Sequence, residues 1–254
     1  HKLIPIKSIP GYRTEVYQDD VDILLIRQNN AGEYYGRHGF LKSKDTGRIA
    51  YQSIKYSEQD VDKMASVAFE YAARKGKKIT LLLKEDGFPH ISRLWSEVFL
   101  ERHKGNAGTE FEILNVDRGA GELISNPSSF DIVVTLNHDG DIICDALTSF
   151  VYGSRGMGYS GNFSSDGFAV YQTVHGGAVD IVGKNKANPI GQILSSAMML
   201  EYSFGLDEEA QAIRNATEAV LRNRYRCADI YQHGCRKVST EEMCSLIAEV
   251  ITNS

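Results

Sequence analysis

Apolar residues recur along this chain in two alternating rhythms. Short runs of leucine and β-branched residues, DVDILLIR (20–27), KKITLLLK (77–84), TEFEILNV (109–116) and FDIVVTLN (130–137), are bounded by polar residues and predict buried strands. Longer segments repeat apolar positions every three or four residues and predict helices. SEQDVDKMASVAFEYAARKG (57–76) opens on an N-cap serine and stops at a glycine preceded by basic residues. ISRLWSEVFLERHKG (91–105), NPIGQILSSAMMLEYSFG (188–205) and DEEAQAIRNATEAVLRN (207–223) repeat the pattern. Strands and helices taking turns predict an α/β fold with a largely parallel sheet.

After residue 150 only GFAVYQTV (167–174) reads as a strand, so the helices there are expected to lack a sheet of their own. Residues 32–57, rich in Gly and Tyr, predict hairpin strands that project as an arm. Such a ribbon is marginal alone and finds its partner on a second subunit. DGDIICDALTSF (139–150) reads as an apolar helix with Asp141 and Asp145 on one face. Two like charges one turn apart either hold a divalent cation or belong to a solvated polar face.

Composition narrows the setting. With 254 residues, 42% hydrophobic and 24% charged, the chain can bury a core as one large or two modest domains. A net charge of −5 argues against nucleic acid as a partner, and no apolar run reaches membrane-spanning length. Cys144, Cys227, Cys235 and Cys244 lack zinc-ligand spacing and the histidines form no HExxH pair, so free thiols in a reducing compartment are expected, cytoplasmic or, in a eukaryote, the mitochondrial matrix. The chain opens HKLIPIKSIP, without Met, and its true start is expected upstream.

Candidate chemistry sits at element ends. Arg27, Lys84 and Asp117 close three predicted strands, where parallel sheets bind ligands. Arg27 fits a bidentate contact to a substrate carboxylate or a structural ion pair. Tyr56 closes the arm and suits either proton donation or packing. GSRGMG (153–158) follows a helix and reads as a turn. HGGAVDIVGKNKANP (175–189) follows a strand and runs as a long loop into a helix start at Asn188-Pro189, where a nucleotide could be held.

Together, DVDILLIRQNNAGEYYG, KKITLLLKED, NPSSFDIVVTLNHDGDIICD and VHGGAVDIVGKNKANPIGQILSSAMMLEYSFG resemble the isocitrate and isopropylmalate dehydrogenase family, metal-dependent β-decarboxylating dehydrogenases of 2-hydroxy acids. The resemblance implies that residues 1–150 form the small α/β domain with its dimerisation arm, and 151–254 the C-terminal half of the large, nucleotide-binding domain. It also implies that roughly a hundred N-terminal residues of the family are missing, so the chain alone is not expected to turn over. Asp141 and Asp145, with Asp117 supplied across a homodimer or a hetero-oligomer, are implied to bind Mg²⁺ or Mn²⁺. Arg27 is implied to bind substrate, Lys84 to help remove the hydroxyl proton, its pKa lowered by a nearby cation and partial burial, and Tyr56 to protonate the decarboxylated product.

In the loop, Asp180 and Ile181 resemble the NAD form, Asn188 the residue near adenine, and His175 and Gly176 lie alongside. An Asp at the ribose hydroxyls disfavours the 2′-phosphate of NADP. Isocitrate is the first substrate reading, then tartrate, D-malate or isopropylmalate. The alternative is a non-catalytic regulatory or assembly subunit. Gln28, Asp86, His138, Asp139, Gln172 and Val179 depart from the family pattern around the site, sparing the implied metal ligands.

Overall fold

The computed structural model describes residues 1–14 and 20–253. In chain order the elements begin with β1 (Lys2–Lys7), β2 (Asp22–Arg27), β3 (His38–Ser43), β4 (Gly47–Gln52), α1 (Glu58–Lys75), β5 (Ile79–Leu83) and α2 (Pro89–Lys104). They continue with β6 (Phe111–Asn115), α3 (Val116–Ser125), β7 (Ile132–Thr135), α4 (Asn137–Tyr152), β8 (Tyr159–Phe163) and β9 (Ala169–Thr173). The last are α5 (Ile190–Phe204), α6 (Asp207–Arg222), the short β10 (Tyr225–Arg226) and β11 (Arg236–Lys237), and α7 (Thr240–Thr252). Two compact units result, one of His1 with Leu24–Ile143, the other of Lys2–Ile23 with Cys144–Ser254. The sequence reading cut the chain once, at residue 150; the contacts instead divide it within α4 and group residues 2–23 with the C-terminal portion.

In the first unit the predicted parallel sheet is present, in the order β2-β7-β5-β6. Its register pairs Leu24 with Ile132, Leu81 with Val134 and Leu81 with Ile113. β5 is buried along its whole length, as a strand covered on both faces must be. α1 forms where a Ser57–Asp60 capping box satisfies its first amides and Gly76, at φ 62°, ends it in the left-handed region. Its buried face, Val61, Met64, Ala65, Ala68, Phe69 and Ala72, follows the helical period. Phe69 meets Phe99 and Phe111, and Phe99 stacks on Trp95 at 5.9 Å between ring centres. β3 and β4 pair in antiparallel register from His38–Gln52 to Ser43–Gly47, the hairpin that the 32–57 pattern predicts. Phe40, Leu41, Ile49 and Tyr51 are exposed on it.

The second unit corrects the expectation of helices without a sheet. β1, β8 and β9 form an antiparallel sheet, with Leu3 opposite Gly161 and Tyr159 opposite Thr173. Neither KLIPIK, with its internal proline, nor YSGNF, with Ser and Gly, carries a strand's usual signal; long-range pairing overrides local preference. Tyr152 secures the N-terminal strand: its hydroxyl accepts from the Lys7 amide at 2.7 Å and donates to the Lys7 carbonyl at 2.8 Å. The Tyr12 hydroxyl in turn donates to the Tyr152 carbonyl. α5 packs on β8 and β9, burying Leu194, Ala197 and Met198 but leaving Phe204 exposed. Among the described residues no disulfide joins Cys144, Cys227, Cys235 or Cys244. Among the described residues no helix is long and apolar enough to cross a membrane.

Burial raises the phenol pKa of Tyr12 and Tyr159 to about 12, and that of Tyr56 and Tyr152 further above the usual value near 10. For a raised folded-state pKa, stability is complete below the unfolded value and is lost as pH climbs from it toward the folded one. Four of the thirteen tyrosines are therefore expected to resist ionisation until the protein unfolds above pH ~10. Tyrosinate absorbance followed beside circular dichroism checks this; four early, independent ionisations would contradict the burial.

Candidate active site

The parallel sheet delivers its polar residues to one edge. At the carboxyl ends of β2, β7 and β5 lie Arg27, Asn137 and Lys84, and beyond β6 comes Asp117. Asp117 does not close a strand as the sequence reading had it: β6 stops at Asn115, whose side chain caps α3 by accepting from the Asp117 amide.

Arg27 is buried and oriented from two sides. Its Nε and Nη2 donate to Asn137 Oδ1 at 3.0 and 2.7 Å, and its Nη1 pairs with Asp141. Gly140 makes the approach possible, since a Cβ there would sit 2.2 Å from Thr135 Oγ1 and 3.0 Å from Arg27 Cγ. Asn137, fully buried, also donates through Nδ2 to the Ala31 carbonyl at 2.7 Å and through its amide to the Tyr56 hydroxyl at 3.2 Å. That hydroxyl donates to Glu33 Oε2 at 3.2 Å, and the Tyr56 ring meets Trp95 edge-on. Burial, aided by the Glu33 carboxylate and opposed by the Asn137 amide, keeps this phenol protonated well past neutrality. Gly32, at φ 85°, lies directly over it: a Cβ at 32 would come 2.1 Å from the hydroxyl oxygen. Tyr56 is thus a packed ring whose hydroxyl is tied through Asn137 to the Arg27 network.

Lys84 pairs with Asp117 and with Asp86. In the chain alone, hydrogen bonds to Asp117 and then Asp86 hold the lysine above its ordinary pKa. Beside these residues an open groove of about 550 Å³ is lined by Glu33, Tyr34, His38, Gln52, Phe88, His138 and Asp139. Asp139 titrates above the usual carboxylate range through burial and the Glu33 charge.

Asp145, one turn beyond Asp141 on α4, pairs with Arg155 at 2.9 Å. Among the described residues no group of three His, Cys, Asp or Glu side chains converges as a metal site. The donors themselves suit a hard divalent ion: Asp117, Asp141 and Asp145 offer carboxylate oxygens, and each is now matched by a cation of the chain.

The residues assigned to the cofactor lie in the second unit, between β9 and α5. Turns closed by Ile181 N to Ala178 O and Lys184 N to Ile181 O shape the loop. Asp180 is exposed, and Lys184 Nζ donates to its carbonyl at 2.6 Å. His175 Nδ1 lies 2.8 Å from the Gly176 carbonyl. The Asn188 side chain is committed to structure: Oδ1 accepts from the Ile190 amide at the start of α5, and Nδ2 donates to Asp229.

Sequence reasoning missed the centre of the Arg27 network. Asn137 and Glu33 stand within the family-like runs without an implied role; the signal for Asn137 was a lone amide two residues after the strand Ile132–Thr135.

A buried arginine fork, ion-paired carboxylates and a protonated phenol stand at the carboxyl edge of a parallel sheet, the edge at which α/β proteins bind ligands. The comparisons narrow that class: the isocitrate/isopropylmalate dehydrogenase family model matches residues 2–247, and the chain belongs to that family. It is 40% identical over 243 residues to a 3-isopropylmalate dehydrogenase of Clostridium acetobutylicum, covering 95% of this chain and 67% of that one. A 3-isopropylmalate dehydrogenase of Oleidesulfovibrio alaskensis is 36% identical over 252 residues, covering 98% and 70%. Among solved structures, an isocitrate dehydrogenase from Methylococcus capsulatus superimposes with a TM-score of 0.90 at 31% identity, covering 98% of this chain and 72% of that one.

Proposed function

We propose that this protein takes part in the NAD- and divalent-metal-dependent oxidative decarboxylation of an isopropylmalate-type 2-hydroxy acid. The observation that carries the reading is the Arg27 fork, fixed by Asn137 beside Asp141 at the sheet's carboxyl edge. The order of substrates differs from that of the sequence reading. Isopropylmalate moves ahead of isocitrate because relatives at 36–40% identity bear its name, whereas isocitrate dehydrogenase appears here as a 31% identical structural neighbour.

In this reaction C2 loses a hydride to nicotinamide and its hydroxyl loses a proton; the β-carboxylate then leaves as CO₂ and carbon regains a proton. Arg27 binds a substrate carboxylate through the part of its fork that Asp141 now occupies. Tyr56, protonated at working pH, is the proton donor to carbon, with Glu33 and the Asn137 amide fixing its hydroxyl. Lys84 holds and passes the hydroxyl proton, a role that requires Asp117 and Asp86 to loosen their hold on it. Asp180 accepts hydrogen bonds from ribose hydroxyls and repels a 2′-phosphate, favouring NAD. Mg²⁺ or Mn²⁺ would be held by Asp141 and Asp145 with Asp117 of a second copy, and when bound supplies Lewis acidity toward the substrate's oxygens. The exposed apolar hairpin β3–β4 supports a dimer through which Lys84 and Asp117 serve the other copy's site.

The test is NADH formation by the full natural protein with Mn²⁺, NAD and a panel of isopropylmalate, isocitrate, tartrate and D-malate. Turnover is expected on isopropylmalate and is expected to stop on chelation. Silence on every acid from a folded protein would favour the regulatory-subunit reading.

A further inference from the structure

The loop between β9 and α5 is exposed from Gly176 through Asp180 and again from Val182 through Ala187, so packing alone does not hold it. Its C-terminal arm is held by a helix distant in sequence. Asn185 Oδ1 accepts from the Glu241 amide at 3.0 Å, and Asn185 Nδ2 donates to Glu241 Oε2 at 3.0 Å. The Asn185 carbonyl accepts from the Thr240 amide at 3.2 Å, and the Ala187 carbonyl accepts from Thr240 Oγ1 at 2.6 Å. A helix start leaves its first amides without intrahelical partners. In α7 the Glu242 amide goes to the Ser239 cap, while those of Thr240 and Glu241 go to Asn185. Asn185 sits at φ 53°, a left-handed conformation in which asparagine is among the side chains best tolerated. Glycine would satisfy that backbone equally well, so the backbone alone does not call for the amide.

We infer that Asn185 is a positioning residue: it clamps the loop that presents Asp180 to the N-terminus of α7, and so sets the loop's order before any cofactor arrives. Turns joined by the Ala178–Ile181 and Ile181–Lys184 bonds carry that order from the clamp back to Asp180. The clamp is a matched pair, with donor and acceptor on each side. It therefore predicts a specific rescue that a generally destabilising change would not show.

Asn185→Gly keeps the left-handed backbone and removes both side-chain bonds. In the full protein without ligand, amide hydrogen exchange across 176–187 is expected to accelerate about tenfold, with circular dichroism unchanged. The consequence for cofactor rests on the reading of this loop as the NAD site: KM for NAD is expected to rise about tenfold, with kcat changing less than KM. Asn185→Asp sets two carboxylates against each other and should behave like Asn185→Gly. Combining it with Glu241→Gln exchanges donor for acceptor and should restore both slow exchange and the KM. Unchanged loop exchange in Asn185→Gly, or faster exchange confined to α7, would overturn the clamp. If the parent protein binds no NAD, the functional reading fails, while the exchange of the ligand-free variants still decides the clamp.

Discussion

Asp141→Asn is expected to lower kcat/KM for metal-dependent NAD reduction by about a thousandfold, close to 4 kcal/mol of transition-state stabilisation, while leaving the protein folded. The substitution keeps the size of the side chain and an oxygen able to accept from Arg27 Nη1. It removes the negative charge, the property that a hard divalent ion requires of its ligand. The cost to the fold is small, because the Asp141 side chain is 52% exposed and asparagine keeps an acceptor for the buried Arg27 guanidinium, which Asn137 still holds. Activity and stability should therefore part company. Steady-state rates over a Mn²⁺ titration, taken beside urea unfolding, check both halves. Activity retained within tenfold would remove Asp141 from the metal set and weaken the decarboxylating reading.

Asn137→Ala is expected to do the reverse and cost about 3–5 kcal/mol of folding stability. Its amide oxygen accepts from two Arg27 nitrogens and its amide nitrogen reaches the Ala31 carbonyl, all in a place that water does not reach. Alanine leaves one edge of a buried guanidinium and one buried carbonyl without partners. Asp141 retains its single contact with Arg27 and cannot replace the fork. The urea midpoint should fall with little change in the slope, as for a loss of native-state interactions alone. A loss under about 1 kcal/mol would mean that Arg27 finds another acceptor in the cavity left behind.

The two residues show how far sequence could be read. Asp141 announced itself by spacing, since carboxylates four apart on an apolar helix demand an explanation. Asn137 did not, because an amide after a strand is ordinary until burial makes its partners obligatory. The parallel sheet of the first unit was legible because β2, β5 and β7 are dominated by buried leucine and β-branched residues. β1 and β8 were not: Pro5 and Gly161 blur their patterns, and their pairing joins residues far apart along the chain. Lys84 was legible in place, at the end of β5, with Asp86 two residues on; Asp117 comes from α3, which only folding brings alongside.

The contact between Gly32 and Tyr56 bears on how this protein can change over generations. No side chain fits at 32 while a hydroxyl stands at 56, and the backbone at 32 is left-handed besides. The two positions are thus epistatic. Even with phenylalanine at 56, a Cβ at 32 would lie 2.6 Å from the ring's Cζ, so glycine is held at 32 for as long as an aromatic ring stands at 56.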